Sequence, residues 1–203
     1  MRKIFFLLLF VALNAFAQKD IVVLHSNDCH SQIFPFSKNL ADKKKANLGG
    51  FTRRVAYVKQ QRKLTPNLLL FDCGDFSQGS PYYSMFKGDV EIGLMNIMGY
   101  DAATIGNHEF DFGLDNMACI FKMAKFPIVC ANYDFSGTVL EGIVKPYTII
   151  KRNGVKIGVF GLSPKLEGLV LRENYGKIKY LDPIAVTKDV VKTLREKEKC
   201  DTT

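Results

Sequence analysis

Hydrophobic and polar positions alternate along this chain in blocks whose spacing switches between strand-like and helix-like. "DIVVLHS", Asp20 to Ser26, is an apolar run that predicts a buried strand. A basic, glycine-bearing stretch, "KKKANLGG", then predicts a solvated loop. From Phe51 the period changes: Phe51, Val55 and Val58 recur at helical spacing among Arg53, Arg54, Lys59, Gln60 and Arg62, which predicts an amphipathic helix ending before Pro66. "NLLLFDC", Asn67 to Cys73, predicts a second strand. "GDVEIGLMNIMGY" predicts a helix stopped by Gly99, "DAATIG" a short third strand, Leu114 to Ala124 a further helix and "FPIVCAN" a fourth strand. Strands separated by helices in this way argue for βαβ units and a mainly parallel sheet. The rhythm then breaks. "KPYTIIKRNGVKIGVFGL" holds two β-rich runs around Asn153-Gly154, a strong hairpin signal that implies a second or mixed sheet. Ile184 to Lys199 predicts a last amphipathic helix, with Val186, Val190 and Leu194 on one side.

The first seventeen residues follow a different pattern. Arg2 and Lys3 precede an unbroken apolar run, Ile4 to Leu13, and Ala15-Phe16-Ala17 offers small residues around a cut before Gln18. That is the layout of a secretory signal peptide, and the run is shorter than the roughly 20 residues a spanning helix needs. The expected organisation is therefore a leader, 1–17, and one domain, 18–203, exported to the periplasm or beyond the cell, with no membrane contact once the leader is removed.

Charge and cysteine content narrow the partners. The formal net charge is +8, and removing Arg2 and Lys3 leaves +6, a balance that suits an anionic substrate. The basic residues are dispersed apart from Lys43–Lys45 and show no aromatic interleaving, so no nucleic-acid groove is expected. The five cysteines, Cys29, Cys73, Cys119, Cys130 and Cys200, have no CxxC spacing and sit in or beside apolar runs, where small buried hydrophobes are expected.

The polar chemistry is concentrated at three places. "HSNDCH" follows the first strand, "DCGDFSQG" the second and "GNHEFD" the third. Ligands in α/β sheets bind beyond the carboxyl ends of strands, so three adjacent parallel strands would deliver Asp28, His30, Asp75, Asn107 and His108 to one edge. Asp28 and His30 are two apart and in extended chain point the same way, with Cys29 opposite them as a packing residue. Gly74 and Gly106 are expected to let the backbone turn before Asp75 and Asn107. Carboxylate, imidazole and amide donors suit Zn, Mn or Fe. Asp75, central among the three segments, is the candidate to bridge two ions. His108 and Asp111, three apart, are expected to form a proton-handling pair. His25 is expected to be a core histidine, and Glu109 and Asp72 either to support the site or to face solvent.

Asp-x-His, Gly-Asp and Gly-Asn-His-Glu, each after a strand, resemble the calcineurin-like metallophosphoesterase superfamily. "LHSNDCHSQ", "GDFSQGSPYY", "GYDAATIGNHEFDFG" and "ANYDFSG" are similar to the N-terminal catalytic domain of exported bacterial 5'-nucleotidases, a family that also includes UDP-sugar hydrolases and 2',3'-cyclic nucleotide phosphodiesterases. The resemblance spans about residues 20–200. It implies an α/β sandwich of two mixed sheets flanked by helices, and a site holding two divalent metal ions. It further implies that Asp28 and His30 ligate one ion, that Asp75 bridges both and that Asn107 ligates the second. His108, oriented by Asp111, then protonates the leaving oxygen or stabilises the transition state during in-line hydrolysis of a nucleotide or other phosphoester. Such proteins continue with a segment supplying another histidine, a Gly-His-x-His segment and a C-terminal base-binding domain. No histidine follows His108 here. The expectation is an N-terminal part of such an enzyme, cut before its last ligands, that is weakly active or inactive alone and exposes apolar sheet surface. The alternatives are a non-catalytic module that binds metal or phosphate, a half-domain needing a partner chain, and a related UDP-sugar hydrolase, 2',3'-cyclic nucleotide phosphodiesterase or thiohydrolase.

Overall fold

Residues 19–203 are described in the computed structural model; the expected leader lies outside them. The chain begins with β1 (Val23–Ser26), α1 (Phe51–Leu64), β2 (Leu69–Asp72), α2 (Pro81–Phe86), α3 (Asp89–Met98) and β3 (Ala102–Ala103). A 3₁₀ turn (His108–Phe110) and α4 (Gly113–Met123) follow, then β4 (Tyr133–Asp134), the hairpin β5 (Tyr147–Arg152) and β6 (Val155–Phe160), α5 (Arg172–Tyr175), β7 (Lys179–Tyr180) and α6 (Pro183–Lys192). A π-helical turn, Thr193–Lys197, closes the last helix.

β1, β2 and β3 form a parallel sheet in that order, with Val23 to Ser26 in register with Leu69 to Asp72. Parallel neighbours require crossovers, and α1 and then α2 with α3 supply them. The buried side of this sheet, with Leu70 and Ala103, packs against Phe51 and Val58 of α1, Ile92 and Met95 of α3, and Met117 and Phe121 of α4. At roughly 25 cal/mol per Å² of apolar area removed from water, that layer holds the three strand ends in one rigid frame.

The other side of the sheet faces the hairpin. Val23 and Phe71 share the lining of an open cleft with Ile157 and Val159 of β6, so the two sheets lie across from each other. Asn153 (φ 52°) and Gly154 (φ 68°) make the hairpin turn, as their pairing predicts. Leu194 lies against Gly158, where a Cβ would come within 2.7 Å of its methyl carbon, and α6 covers the hairpin through Val186 and Val190.

Several expectations change. β1 is an edge strand: Val23 is 52% exposed and His25 shares its outward side, so His25 is not a core histidine. The fourth strand is reduced to bridges, Ile128 with Ala103 and Val129 with Lys145. Only Cys130 is buried among the cysteines, all five are unbridged, and Cys73 and Cys119 are exposed. Among the described residues no helix is long and apolar enough to cross a membrane.

Candidate metal centre

The three strand ends continue past the sheet and lock to one another. Cys73 N–H donates to Ser26 O, and the ladder then runs on irregularly: Asp28 N to Gly74 O (3.0 Å), His30 N to Asp75 O (3.0 Å) and Ser31 N to Phe76 O (2.9 Å). Asp28, His30 and Asp75 all have positive φ, so the first loop is not extended. Asp28 and His30 meet nonetheless, because left-handed residues curl the loop back on itself. His30 Nε2 lies 3.7 Å from Asp28 Oδ1 and 3.7 Å from Asp75 Oδ2. The Cys29 thiol points elsewhere and accepts from Arg54 at 2.7 Å.

The second and third loops touch. A Cβ on Gly74 (φ 96°) would lie 2.5 Å from Gly106 N, and a Cβ on Gly106 would lie 1.9 Å from Asp75 Oδ1. Gly74 serves the turn as expected. Gly106 has no left-handed φ, and its missing side chain instead makes room for the Asp75 carboxylate. His108 N–H donates to Asp75 Oδ1 at 3.0 Å, which ties the third loop to the second.

Donor atoms of His30, Asp75 and His108 lie within 4.8 Å of one another, and the two imidazoles meet edge-on with centroids 5.3 Å apart. His30 Nε2 is buried and has no hydrogen-bond partner among the described residues. A buried ring nitrogen aimed at two carboxylates, without a donor or acceptor of its own, fits a divalent cation, and the imidazole–carboxylate set suits Zn, Mn or Fe. Asn107 precedes the 3₁₀ turn without capping it, so its amide is not consumed by the backbone. His108 Nδ1 lies 3.3 Å from Asp111 Oδ2, which brings the predicted pair together.

Two carboxylates underlie these loops. Glu109 is 1% exposed and accepts four hydrogen bonds: from Gly106 N (2.6 Å), Asp75 N (3.0 Å), Ser77 N (3.3 Å) and Ser77 Oγ (3.1 Å). Burial, and then the nearby Asp75 charge, push its carboxyl up to about 8, while the backbone N–H groups pull the other way. Asp72 accepts from Gly74 N (3.0 Å) and from Ser26 Oγ (2.7 Å), and Ser26 Oγ also meets Tyr100 OH at 2.6 Å. Burial pushes the Asp72 carboxyl up to about 6. Neither residue faces solvent. The sequence leaves open what Glu109 does and gives no sign of Tyr83, whose hydroxyl donates to His108 O at 3.0 Å. A carboxylate within a polar motif carries no local sign of burial, because the loop that covers it is thirty residues away.

Residues 21–198 match the family model described as calcineurin-like phosphoesterase. The chain belongs to the calcineurin-like phosphoesterase family. Within that family of hydrolases it is 35% identical over 152 residues to the 5'-nucleotidase of Rattus norvegicus, an alignment covering 72% of this chain and 26% of that protein. Its fold superposes on a 5'-nucleotidase precursor from Thermus thermophilus with a TM-score of 0.79 at 32% identity, over 87% of this chain and 34% of that one. The NAD nucleotidase of Haemophilus influenzae gives a TM-score of 0.75 at 30% identity, over 87% and 32%. The α/β architecture of this chain is therefore the metallophosphoesterase one, and the chain spans about a quarter of the length of the curated relatives it matches.

Proposed function

We propose that this chain carries the dinuclear metal centre of a 5'-nucleotidase-type hydrolase, converting a nucleoside 5'-monophosphate to nucleoside and phosphate. The observation that carries this reading is the buried, unpartnered His30 Nε2 held 3.7 Å from both the Asp28 and the Asp75 carboxylates. In this reading Asp28, His30, Asp75 and Asn107 would hold the two divalent ions, with Asp75 at their middle. Bound there, Zn, Mn or Fe would neutralise charge on the phosphoryl oxygens and make the attacking water more acidic.

The protein's own groups supply the rest. Asp111 accepts Nδ1–H of His108, which leaves Nε2 as the nitrogen that meets the substrate. A protonated His108 gives its Nε2 proton to the leaving nucleoside oxygen as the P–O bond breaks, and Asp111 stabilises the imidazolium before that transfer. Tyr83 holds the His108 carbonyl and so the orientation of the turn. The anionic product and substrate match a chain whose formal charge is +8, or +6 without Arg2 and Lys3 of the leader. Export to the periplasm or beyond the cell fits the leader pattern of residues 1–17.

The test is phosphate release from AMP with Mn²⁺ or Zn²⁺ present, by a chain extended through the further histidine segments that the family resemblance implies, in wild type and His108→Ala. Slow release that His108→Ala lowers by roughly 10²- to 10⁴-fold, the usual worth of a general acid, supports the reading. No release from any nucleotide or phosphoester with either metal overturns it.

A further inference from the structure

A concave, basic surface lies beside the metal centre and is used by nothing described so far. It is a cleft of about 550 Å³ whose rim carries Lys165, Arg172, Lys177 and Lys179, against a single acid, Glu167. Tyr175 and Ile178 form its buried floor, and Tyr180, 39% exposed, stands at its side. Two of the cations are already engaged: Lys165 pairs with Glu167 at 2.5 Å and Lys179 with Asp134 at 3.6 Å. Arg172 and Lys177 make no ion pair among the described residues. The Arg172 guanidinium lies over the Tyr175 ring, 4.8 Å from its centroid. Stacking of that kind fixes the plane of the group while leaving its N–H edge able to bond an anion, and the planar fork matches phosphate oxygens two at a time.

The cleft is tied to the working edge of the sheet at three points. Asn174, on the same helical turn as Arg172, donates to the Asp111 carbonyl at 3.1 Å. Tyr133 packs edge-on against Phe110 of the His108 turn (6.0 Å) and at a tilt against Tyr180 of the cleft (6.2 Å). Buried Asn132 exchanges two hydrogen bonds of 2.8 Å with Ser163, just before the cleft segment begins. Solvated lysines on a convex surface attract anions only weakly, but with Lys165 and Lys179 offset by Glu167 and Asp134 the surplus charge of Arg172 and Lys177 is focused into a concavity with an apolar floor.

We propose that this cleft is a second anion site, which takes a phosphate or pyrophosphate group held apart from the metal centre. Arg172 and Lys177 contact the anion, and the ion pairs of Lys165 with Glu167 and Lys179 with Asp134 frame the cleft without cancelling their charge. The ligand is either a free anion of this class or the distal phosphate of a substrate carrying more than one; the second case rests on the nucleotidase reading, whereas the anion site itself does not.

Calorimetric titration of the chain with inorganic pyrophosphate, in EDTA and at low salt, tests it with the metal centre kept empty. The expected result is saturable one-to-one binding that weakens at least tenfold in Arg172→Gln/Lys177→Gln. A charge-matched control, Lys188→Gln/Lys192→Gln on α6, should leave it unchanged. Absence of saturable binding at millimolar pyrophosphate overturns the proposal, and so does an equal loss in both double variants. A second arm identifies the source by comparing phosphate release from ADP and AMP with Mn²⁺. A lower ADP-to-AMP ratio in the cleft variant assigns the site to a substrate's distal phosphate, and an unchanged ratio together with lost pyrophosphate binding assigns it to a free anion. If AMP is not hydrolysed at all, the nucleotidase reading fails while the titration in EDTA still decides the cleft.

Discussion

Replacing Glu109 should loosen the candidate metal centre more than replacing any other side chain that is not itself a proposed ligand. Its carboxylate is the common acceptor for the N–H groups of Asp75, Ser77 and Gly106 and for the Ser77 hydroxyl, so one buried group holds the second and third loops together. Glu109→Ala leaves three buried N–H groups without an acceptor and opens a hole beneath the Asp75 turn. At about 1–3 kcal/mol for each buried group left unpaired, the loss is at least about 3 kcal/mol, a large share of the roughly 5–15 kcal/mol that holds a domain together. Glu109→Gln keeps one oxygen. Its amide nitrogen can face the Ser77 hydroxyl, which rotates to accept, so a single N–H is stranded and the loss is about 1–3 kcal/mol. Ser77→Ala removes one donor and keeps the rest, for about 1 kcal/mol. Urea unfolding of the three variants should give that order, and Mn²⁺ titration should show affinity falling in parallel as Asp75 loses its support. Stability of Glu109→Ala within about 0.5 kcal/mol of wild type, the range of an ordinary surface substitution, together with unchanged Mn²⁺ affinity, would refute the reasoning.

Two further predictions rest on the same loops. Gly106→Ala would set a methyl group 1.9 Å from Asp75 Oδ1, so the carboxylate must move; Mn²⁺ binding should fall by tenfold or more while far-UV circular dichroism stays that of wild type. The buried Asp72 carboxyl, pushed up to about 6 from 3.8, keeps a proton in the native state that the unfolded chain has released. Stability should therefore be greatest below about pH 4 with respect to this group and decline by about 3 kcal/mol as pH rises through 6. Asp72→Asn should lack that decline when metal-free protein is unfolded in urea at pH 4 and pH 7, and a gap between variant and wild type that does not change with pH would contradict it.

The elements that could be read from the sequence are those specified locally. Asn153-Gly154 makes the hairpin because both residues must take positive φ there, whatever surrounds them. The helix from Phe51 and the stop at Gly99 follow from period and cap. What escaped depends on distant neighbours. β1 reads as a buried strand, yet it stands at the sheet edge, where Val23 and His25 remain exposed, and only the strand order decides that. Within the stretch predicted as one helix to Lys199, the helix widens into a π turn where Leu194 settles against Gly158 of the hairpin.

The site divides in the same way. That Asp28, His30, Asp75, His108 and Asp111 come together is legible because each follows an apolar run, and the parallel order brings those runs side by side. Asp28 and His30 were expected to meet across an extended chain, whereas a loop curled through left-handed residues is what joins them. Glu109 stayed ambiguous because nothing within its own hexapeptide shows that the 75–77 loop lies over it.

The central claim is that three strand ends make one dinuclear metal centre with Asp75 at its middle. Titration of the full chain with Mn²⁺, read by calorimetry and by loss of the free-ion electron paramagnetic resonance signal, tests it most directly. Two ions per chain are expected at millimolar Mn²⁺. Asp75→Ala should lose both with far-UV circular dichroism unchanged, and Cys29→Ala should keep both. No Mn²⁺ binding by wild type, or two ions still bound by Asp75→Ala, would contradict it.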